Sequence, residues 1–490
     1  MSQPMQAAAP EQPYARRWPM LFILLLAGFM NLIDVTIVNV ALPSLQEGLG
    51  ASSSEIEWVV AAYILAFAIG LLPFGRLGDR IGRKSVFLVG VAGFTLFSAF
   101  CGLAPSTGWL IIARVFQGFA SAMMMPQVLA IVQVTFPPEE RGTAFSLFGL
   151  SAGLASVTGP LAGGLLISLD LWGLDWRPIF LVNIPVGLFA LWAAGRVVPK
   201  LPGNTGQVND LGGTLLAGAS IFLIVFALIE GRGFGWASWI FGLMVLAAVG
   251  FVLFYRLQKS RERADLTQLL PAALLRNRNF MLGTTMVLLF FSGVAGFFMV
   301  LAIFWQSGLG FTPLESGLTT VPFSIGVLVS SAINGRLKSS FLRQRTAAGA
   351  LLLAAGMVWL RGVVGAIESF DDHWTAAAPL FVSGIGLGMT ISSLFQTVLS
   401  NVQGRDAGSG AGALQSFQQV GSALGVAIMG QIFFAVLEGG GPSASGDRYL
   451  SAMQTSLIYE IVAFVGVAAL VLLLQAPKAP SVYAPSAVPE

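Results

Sequence analysis

Asp34 stands alone in an apolar run near the start of this 490-residue chain. An ionisable group at such depth costs several kcal/mol unless it meets a cavity or a partner. A carboxyl that faces two aqueous sides in turn can take up a proton on one and release it on the other, so Asp34 is a candidate proton-coupling group. Asn31, one turn away on the same face, offers a purely structural hydrogen bond instead. A second charge, Arg114, lies in a later apolar run, with Gln117 and Ser121 on the same stripe at helical spacing. Counted at helical rise, Asp34 and Arg114 lie roughly 12 Å and roughly 8 Å from the same end of their helices. The pair can therefore interact directly or through water, protonation of Asp34 releasing Arg114. The alternative is that Arg114 snorkels outward.

These groups need helices to hold them, and composition supplies the helices. The chain is 56% hydrophobic and 10% charged, where a soluble domain carries about 25% charged residues. About fourteen membrane-spanning helices are expected, near residues 18–42, 57–75, 85–104, 108–134, 143–168, 178–198, 211–230, 237–256, 279–304, 314–334, 345–366, 375–400, 408–436 and 451–475. With Arg16 and Arg17 placed in the cytoplasm, about 21 of the 26 Lys and Arg fall on that side, leaving Arg177, Arg232, Arg361 and Arg448 outside. The basic balance is an orientation signal with both termini cytoplasmic, which argues against a nucleic-acid partner. The first span reads as an uncleaved anchor and both tails as disordered. The lone cysteine, Cys101, lies in the third span and reads as packing.

The loop near Pro199–Asp210 and the basic stretch Arg256–Arg278 isolate spans seven and eight. This divides the chain into a six-helix bundle (1–198), two inserted helices with a cytoplasmic linker (199–272) and a second six-helix bundle (273–490). Gly75-Arg76-Leu77 after span two recurs as Gly335-Arg336-Leu337 after span ten, and Arg141-Gly142 before span five finds a counterpart in Arg405-Asp406-Ala407-Gly408 before span thirteen. Two duplicated bundles with a substrate site between them near mid-membrane are expected.

The stretch Gly75-Arg76-Leu77-Gly78-Asp79-Arg80-Ile81-Gly82-Arg83-Lys84 reads as a tight cytoplasmic turn. Asp79 can accept charge-assisted bonds from its arginines, making a conformational latch of Gly75, Asp79, Arg80, Gly82 and Arg83. In span five, Gly153, Gly159, Pro160 and Gly163 form a small-residue face with a proline inside the helix, suited to close approach and flexing.

The stretch from Gly75 to Lys84 resembles the signature of the major facilitator superfamily. The run Leu32-Ile33-Asp34-Val35-Thr36-Ile37-Val38-Asn39-Val40-Ala41-Leu42-Pro43 is similar to the signature of its fourteen-helix drug:proton antiporters of the EmrB/QacA type. Trp176-Arg177-Pro178-Ile179-Phe180-Leu181-Val182-Asn183-Ile184-Pro185-Val186-Gly187 also resembles that subfamily. The resemblance covers nearly the whole chain and implies an all-α membrane protein of the major facilitator fold. It also implies a link between Arg114 and proton coupling, and, through Gly159-Pro160 and Gly163-Gly164, an exporter rather than an uptake symporter. Span thirteen departs from relatives that export dications, carrying Gln415, Gln418 and Gln419 and no acid.

Candidate substrate-binding groups are Asn31, Tyr63, Gln117, Phe298, Trp305, Gln306, Gln415 and Gln419, since aromatic rings and amides suit flat lipophilic compounds. The only histidine, His373, sits in an acidic loop beside Asp371 and Asp372, and no phosphate-cradling loop is present. No enzyme, metal or cofactor is expected. The expectation is proton-driven multidrug efflux at the inner membrane by alternating access, with small molecules, protons and the bilayer as partners. A periplasmic adaptor and outer-membrane channel are further candidates. Proton-coupled nutrient uptake, or a membrane sensor or embedded enzyme, are the alternatives.

Overall fold

The computed structural model describes residues 14–203, 210–334, 341–399, 407–439 and 445–474. Its elements are α1 (Arg17–Leu49), α2 (Ser53–Ile81), α3 (Arg83–Gly102), α4 (Thr107–Thr135), α5 (Pro138–Ser168), α6 (Pro178–Leu181), α7 (Asn183–Val197), α8 (Leu211–Glu230) and α9 (Ser238–Arg263). They continue with α10 (Ala272–Arg276), α11 (Arg278–Ile303), α12 (Pro313–Asn334), α13 (Leu342–Val363), α14 (Trp374–Leu399), α15 (Ala407–Gly439) and α16 (Ser445–Leu472). No strand occurs among the described residues. In apolar surroundings a helix satisfies its own backbone polar groups, which this composition requires.

Thirteen helical passes among the described residues are long and apolar enough to cross a membrane, α6 and α7 together making one of them. The fifth pass, α5, is a 31-residue helix whose apolar part, Gly153–Ser168, is shorter. With α5 counted, the described residues trace fourteen passes and bring the start of α1 and the end of α16 to one face, called here the chain-end face. The outward sides of many helices are apolar: on α9, Phe241, Val245, Leu246, Val249 and Val252 are exposed. In water such surface would be a liability; in a bilayer it is the required solvent contact.

Local sequence sets several helix ends. Ser52 and Glu55 form a reciprocal capping box at the start of α2. The Asn277 side chain accepts from the Phe280 N–H at 3.1 Å, opening α11. Asp210 caps α8 through the Gly213 N–H at 2.8 Å and also accepts from Gln258 of α9 at 2.7 Å, which ties the inserted helices together at their base.

The stretch from Gly75 to Lys84 corrects the expectation of a tight turn. Gly75 and Gly78 lie inside α2, which runs unbroken to Ile81, and only Gly82, at φ 104°, makes the break. Gly78 is needed for close approach, because a Cβ there would stand 2.0 Å from Gln127 Oε1 of α4. The repeat marks Gly335-Arg336-Leu337 and Arg405-Asp406 lie outside the described residues.

In the N-terminal part α1 packs on α5, and α4 on both α2 and α3; in the C-terminal part α14 packs on α12 and α13, and α11 on α15. The two parts meet where α2 lies along α15, α5 along α12, and α1 against α11.

Candidate functional site

Asp34 and Arg114 are brought together in the N-terminal bundle, both fully enclosed by protein. Arg114 Nη1 donates to Asp34 Oδ2 at 2.5 Å and to Gln117 Oε1 at 2.7 Å, while its Nε donates to the Val59 carbonyl of α2 at 3.1 Å. Gln117 Nε2 donates to Asp34 Oδ1 at 2.9 Å and to Ser98 Oγ of α3 at 2.8 Å. Asn183 Nδ2, at the start of α7, adds a donor to Asp34 Oδ1 at 3.3 Å. The guanidinium carbon lies 4.1 Å from the Tyr63 ring centroid and 5.8 Å from that of Phe180. Five spans therefore converge on one ion pair. Deleting one member of a buried pair strands the other charge, at about 3–5 kcal/mol.

Asn31 does not bond Asp34. Its amide donates to the Tyr63 hydroxyl at 2.5 Å and to Ser121 Oγ at 2.8 Å, and the two hydroxyls are 2.8 Å apart. Asn31, Tyr63 and Gln117, expected to touch substrate, are thus buried in the polar network around the ion pair. Ser98, Asn183 and Phe180 belong to that network without having been singled out in the sequence. Asn183 and Phe180 do fall within the Trp176–Gly187 stretch, which was the available signal; Ser98 had none.

The other expected groups are distributed. Trp305 is buried and stacks on Phe311, with ring centroids 5.4 Å apart. Gln306, in the wider helical turn Phe304–Gly308 after α11, donates to the Val40 carbonyl of α1 at 2.8 Å, joining the two bundles. Phe298 packs edge-on against Phe323 at 5.1 Å. Gln415 and Gln419 are half-buried on α15, the helix that lies along α2.

At the chain-end face, Asp79 is paired with Arg83 of its own turn at 2.9 Å, and Arg83 also donates to the Ala130 carbonyl of α4. Gly75 is half-buried, Gly82 is buried and Arg80 is exposed. Nearby, Arg17 makes a two-pronged contact to Glu140, at 2.6 and 2.9 Å, which holds that carboxyl below its usual range.

The small-residue face of α5 contacts both bundles. A Cβ at Gly159 would lie 1.8 Å from Thr36 Oγ1 of α1, one at Gly163 2.7 Å from Ile37, and one at Gly153 2.4 Å from Leu328 of α12. Pro160 has no N–H to offer the Ser156 carbonyl one turn back. Ser324 of α12 donates to that carbonyl instead, at 2.9 Å, across the boundary between the bundles. A vestibule of about 380 Å³ lies between the end of α1 and the start of α12, lined by Pro43, Gln46, Glu47, Gln306, Phe311 and Pro313. Among the described residues, the cross-bundle bond of Gln306 lies toward the face away from the chain ends, and that of Ser324 near the middle of α5 and α12.

This architecture and site define a transporter of the major facilitator class. The Major Facilitator Superfamily model matches residues 24–227 and 210–426, and the chain belongs to that family. It is 38% identical over 451 residues to a probable actinorhodin transporter of Streptomyces coelicolor, spanning 92% of this chain and 78% of the relative. A puromycin resistance protein of Streptomyces alboniger is 36% identical over 437 residues, 88% of this chain and 84% of that one. A tetracenomycin C resistance and export protein of Streptomyces glaucescens is 32% identical over 421 residues, 85% and 76% respectively. Among solved structures, a bacterial homologue of the human lysosomal transporter Spinster superposes with a TM-score of 0.65 at 17% identity, covering 94% of this chain and 97% of that one. The protein is a multi-pass membrane carrier, not an enzyme.

Proposed function

We propose that this carrier exports small amphipathic compounds in exchange for protons by alternating access. The observation that carries the reading is the enclosed Asp34–Arg114 pair, in which one proton added to Asp34 cancels the attraction that holds Arg114, Gln117 and Asn183 together. A binary change in charge thereby becomes a change in how α1, α4 and α7 pack. The Gly159-Pro160 and Gly163-Gly164 pattern of α5, which resembles that of the superfamily's antiporters, supports the export direction. Relatives named for actinorhodin transport, puromycin resistance and tetracenomycin C export support small-molecule drugs as cargo.

In this reading the protein sits in the plasma membrane, with residues 1–198 and 273–490 as the moving bundles and 199–272 inserted between them. Both termini are cytoplasmic, so the face where the bundles meet through Gln306 is external. The Asp79–Arg83 turn serves as the latch of the other face. Phe298, Gln415 and Gln419 are offered as cargo contacts, with Trp305 and Gln306 at the outer end. An adaptor and outer-membrane channel would extend export across a second membrane, which co-purification tests.

The decisive experiment is dye or drug movement in inverted vesicles under an imposed pH gradient, comparing the parent with Asp34→Asn. Accumulation in the parent and none in the variant is expected. Equal accumulation in both refutes coupling through Asp34, and movement in the opposite direction establishes uptake.

A further inference from the structure

Away from the chain ends, the hairpin between the inserted helices reaches the seam between the bundles. Arg232, two residues beyond the end of α8, lies 3.4 Å from Glu57 of α2 and 3.2 Å from Glu438 of α15. It also donates to the Gly430 carbonyl of α15 at 3.4 Å, and its guanidinium lies 5.0 Å from the Phe434 ring. The hairpin is itself fixed to α2, because Trp58 Nε1 donates to Glu230 at 2.7 Å. One guanidinium is thus shared between acids of the two bundles.

Glu57 is the unusual member. It is 0% exposed, and its Oε2 has no hydrogen-bond partner. What encloses it is the opposite bundle: a Cβ at Gly430 would stand 2.4 Å from the Glu57 carboxyl carbon. The charged groups facing Glu57 are Arg232 and Glu230 from the hairpin and Glu438 from α15. From α4, Arg114 is turned to Asp34 and to the Val59 carbonyl. On α2 itself, Glu55 is spent on the Ser52 cap. Glu57 and Glu438 therefore share a single cation, Glu230 adds its negative charge beside Glu57, and of these acids it is Glu57 that α15 encloses.

We propose that Glu57 is a second proton-binding site, filled as the mouth away from the chain ends closes, and that Arg232 of the inserted hairpin is its shared counter-charge. Closure brings Gly430 over Glu57 and sets Glu438 competing for Arg232; the proton added to Glu57 relieves both. Opening withdraws Gly430 and Glu438, leaving Arg232 to a rehydrated Glu57 carboxylate, and the proton returns to solvent. Acid on that side therefore favours the closed mouth, and the inserted helices serve to carry the counter-charge. The proposal rests on the alternating-access reading above but not on Asp34 as the coupling acid.

The test is a distance measurement across the mouth in the full-length protein, reconstituted in nanodiscs, with spin labels at Gly108→Cys, at the exposed start of α4 where an added side chain meets nothing, and Ala435→Cys. The expected result is a shift from a long to a short distance as pH falls, retained in Asp34→Asn and lost in Glu57→Gln, which stays short at every pH. Glu438→Gln, which leaves Arg232 to Glu57, is expected to move the midpoint to lower pH. This variant decides the matter should Glu57→Gln fail to fold. A pH-independent parent, a Glu57→Gln titration equal to the parent's, or an unmoved midpoint in Glu438→Gln overturns the proposal. Failure of Asp34→Asn in the vesicle assay alone leaves it standing.

Discussion

In the N-terminal bundle Asp34 is fully buried and accepts hydrogen bonds from Arg114, Gln117 and Asn183. In the C-terminal bundle Glu460 of α16 is equally buried, and neither of its oxygens has a hydrogen-bond partner. The two acids are equally enclosed, yet among the described residues only the first has a counter-charge to hold and let go. Around Glu460 the bundle offers Phe464 and the closely packed Gly293, and its polar side chains mostly serve their own helices, as Ser383 and Thr390 do by donating one turn back. An acid that exchanges partners can reposition helices; an acid with none cannot. Among its described residues the C-terminal bundle thus offers Glu460 no partner to exchange, whereas the N-terminal bundle offers Asp34 three.

The contrast is most open to attack at Asp34. Asp34→Asn is expected to abolish gradient-driven export, and Asp34→Ala to lose in addition about 3–5 kcal/mol of stability by stranding Arg114. Thermal unfolding of the purified variants measures the second effect, and recovery in the Asp34→Ala/Arg114→Ala double variant would tie it to the stranded charge. Next in size is Gly159→Val, which must drive α5 off Thr36 and is expected to cost about 1–3 kcal/mol through overpacking. A transport assay paired with an unfolding curve separates lost motion from lost folding. Ser324→Ala leaves the Ser156 carbonyl without its donor and should disfavour the closed arrangement by about 1–3 kcal/mol, read as a fall in the short-distance population across the mouth. Glu460→Gln is expected to matter least, at about 1 kcal/mol or below, since no hydrogen bond is broken. A loss of export there comparable to Asp34→Asn would erase the distinction between the bundles.

Much of this was legible in the sequence because charge is rare in it. Asp34 and Arg114 stand out among apolar residues, and counting helical rise put them at compatible depths. Amides and hydroxyls do not stand out in the same way. Ser98 looks like the small filler that membrane helices use for close contact, and only the fold, bringing α3 beside α4, turns it into a partner of Gln117. Glu57 and Arg232 are 175 residues apart and meet through a docking of bundles that no local pattern encodes. The glycines before Gly82 illustrate the opposite error. Glycine permits a turn, but it equally permits one helix to press on another, and the side chain of Gln127 across the gap decides which.

The bond from Ser324 to the carbonyl that Pro160 leaves free bears on how such a seam can separate at all. A backbone carbonyl exposed to lipid without a donor would cost several kcal/mol, so the site must meet either the serine hydroxyl or water. Exchanging one for the other is worth only about 0.5–1.5 kcal/mol. The proline thus makes the seam a wettable, nearly isoenergetic fastening: water can undo it from the open side, and the hydroxyl remakes it when the cleft dries.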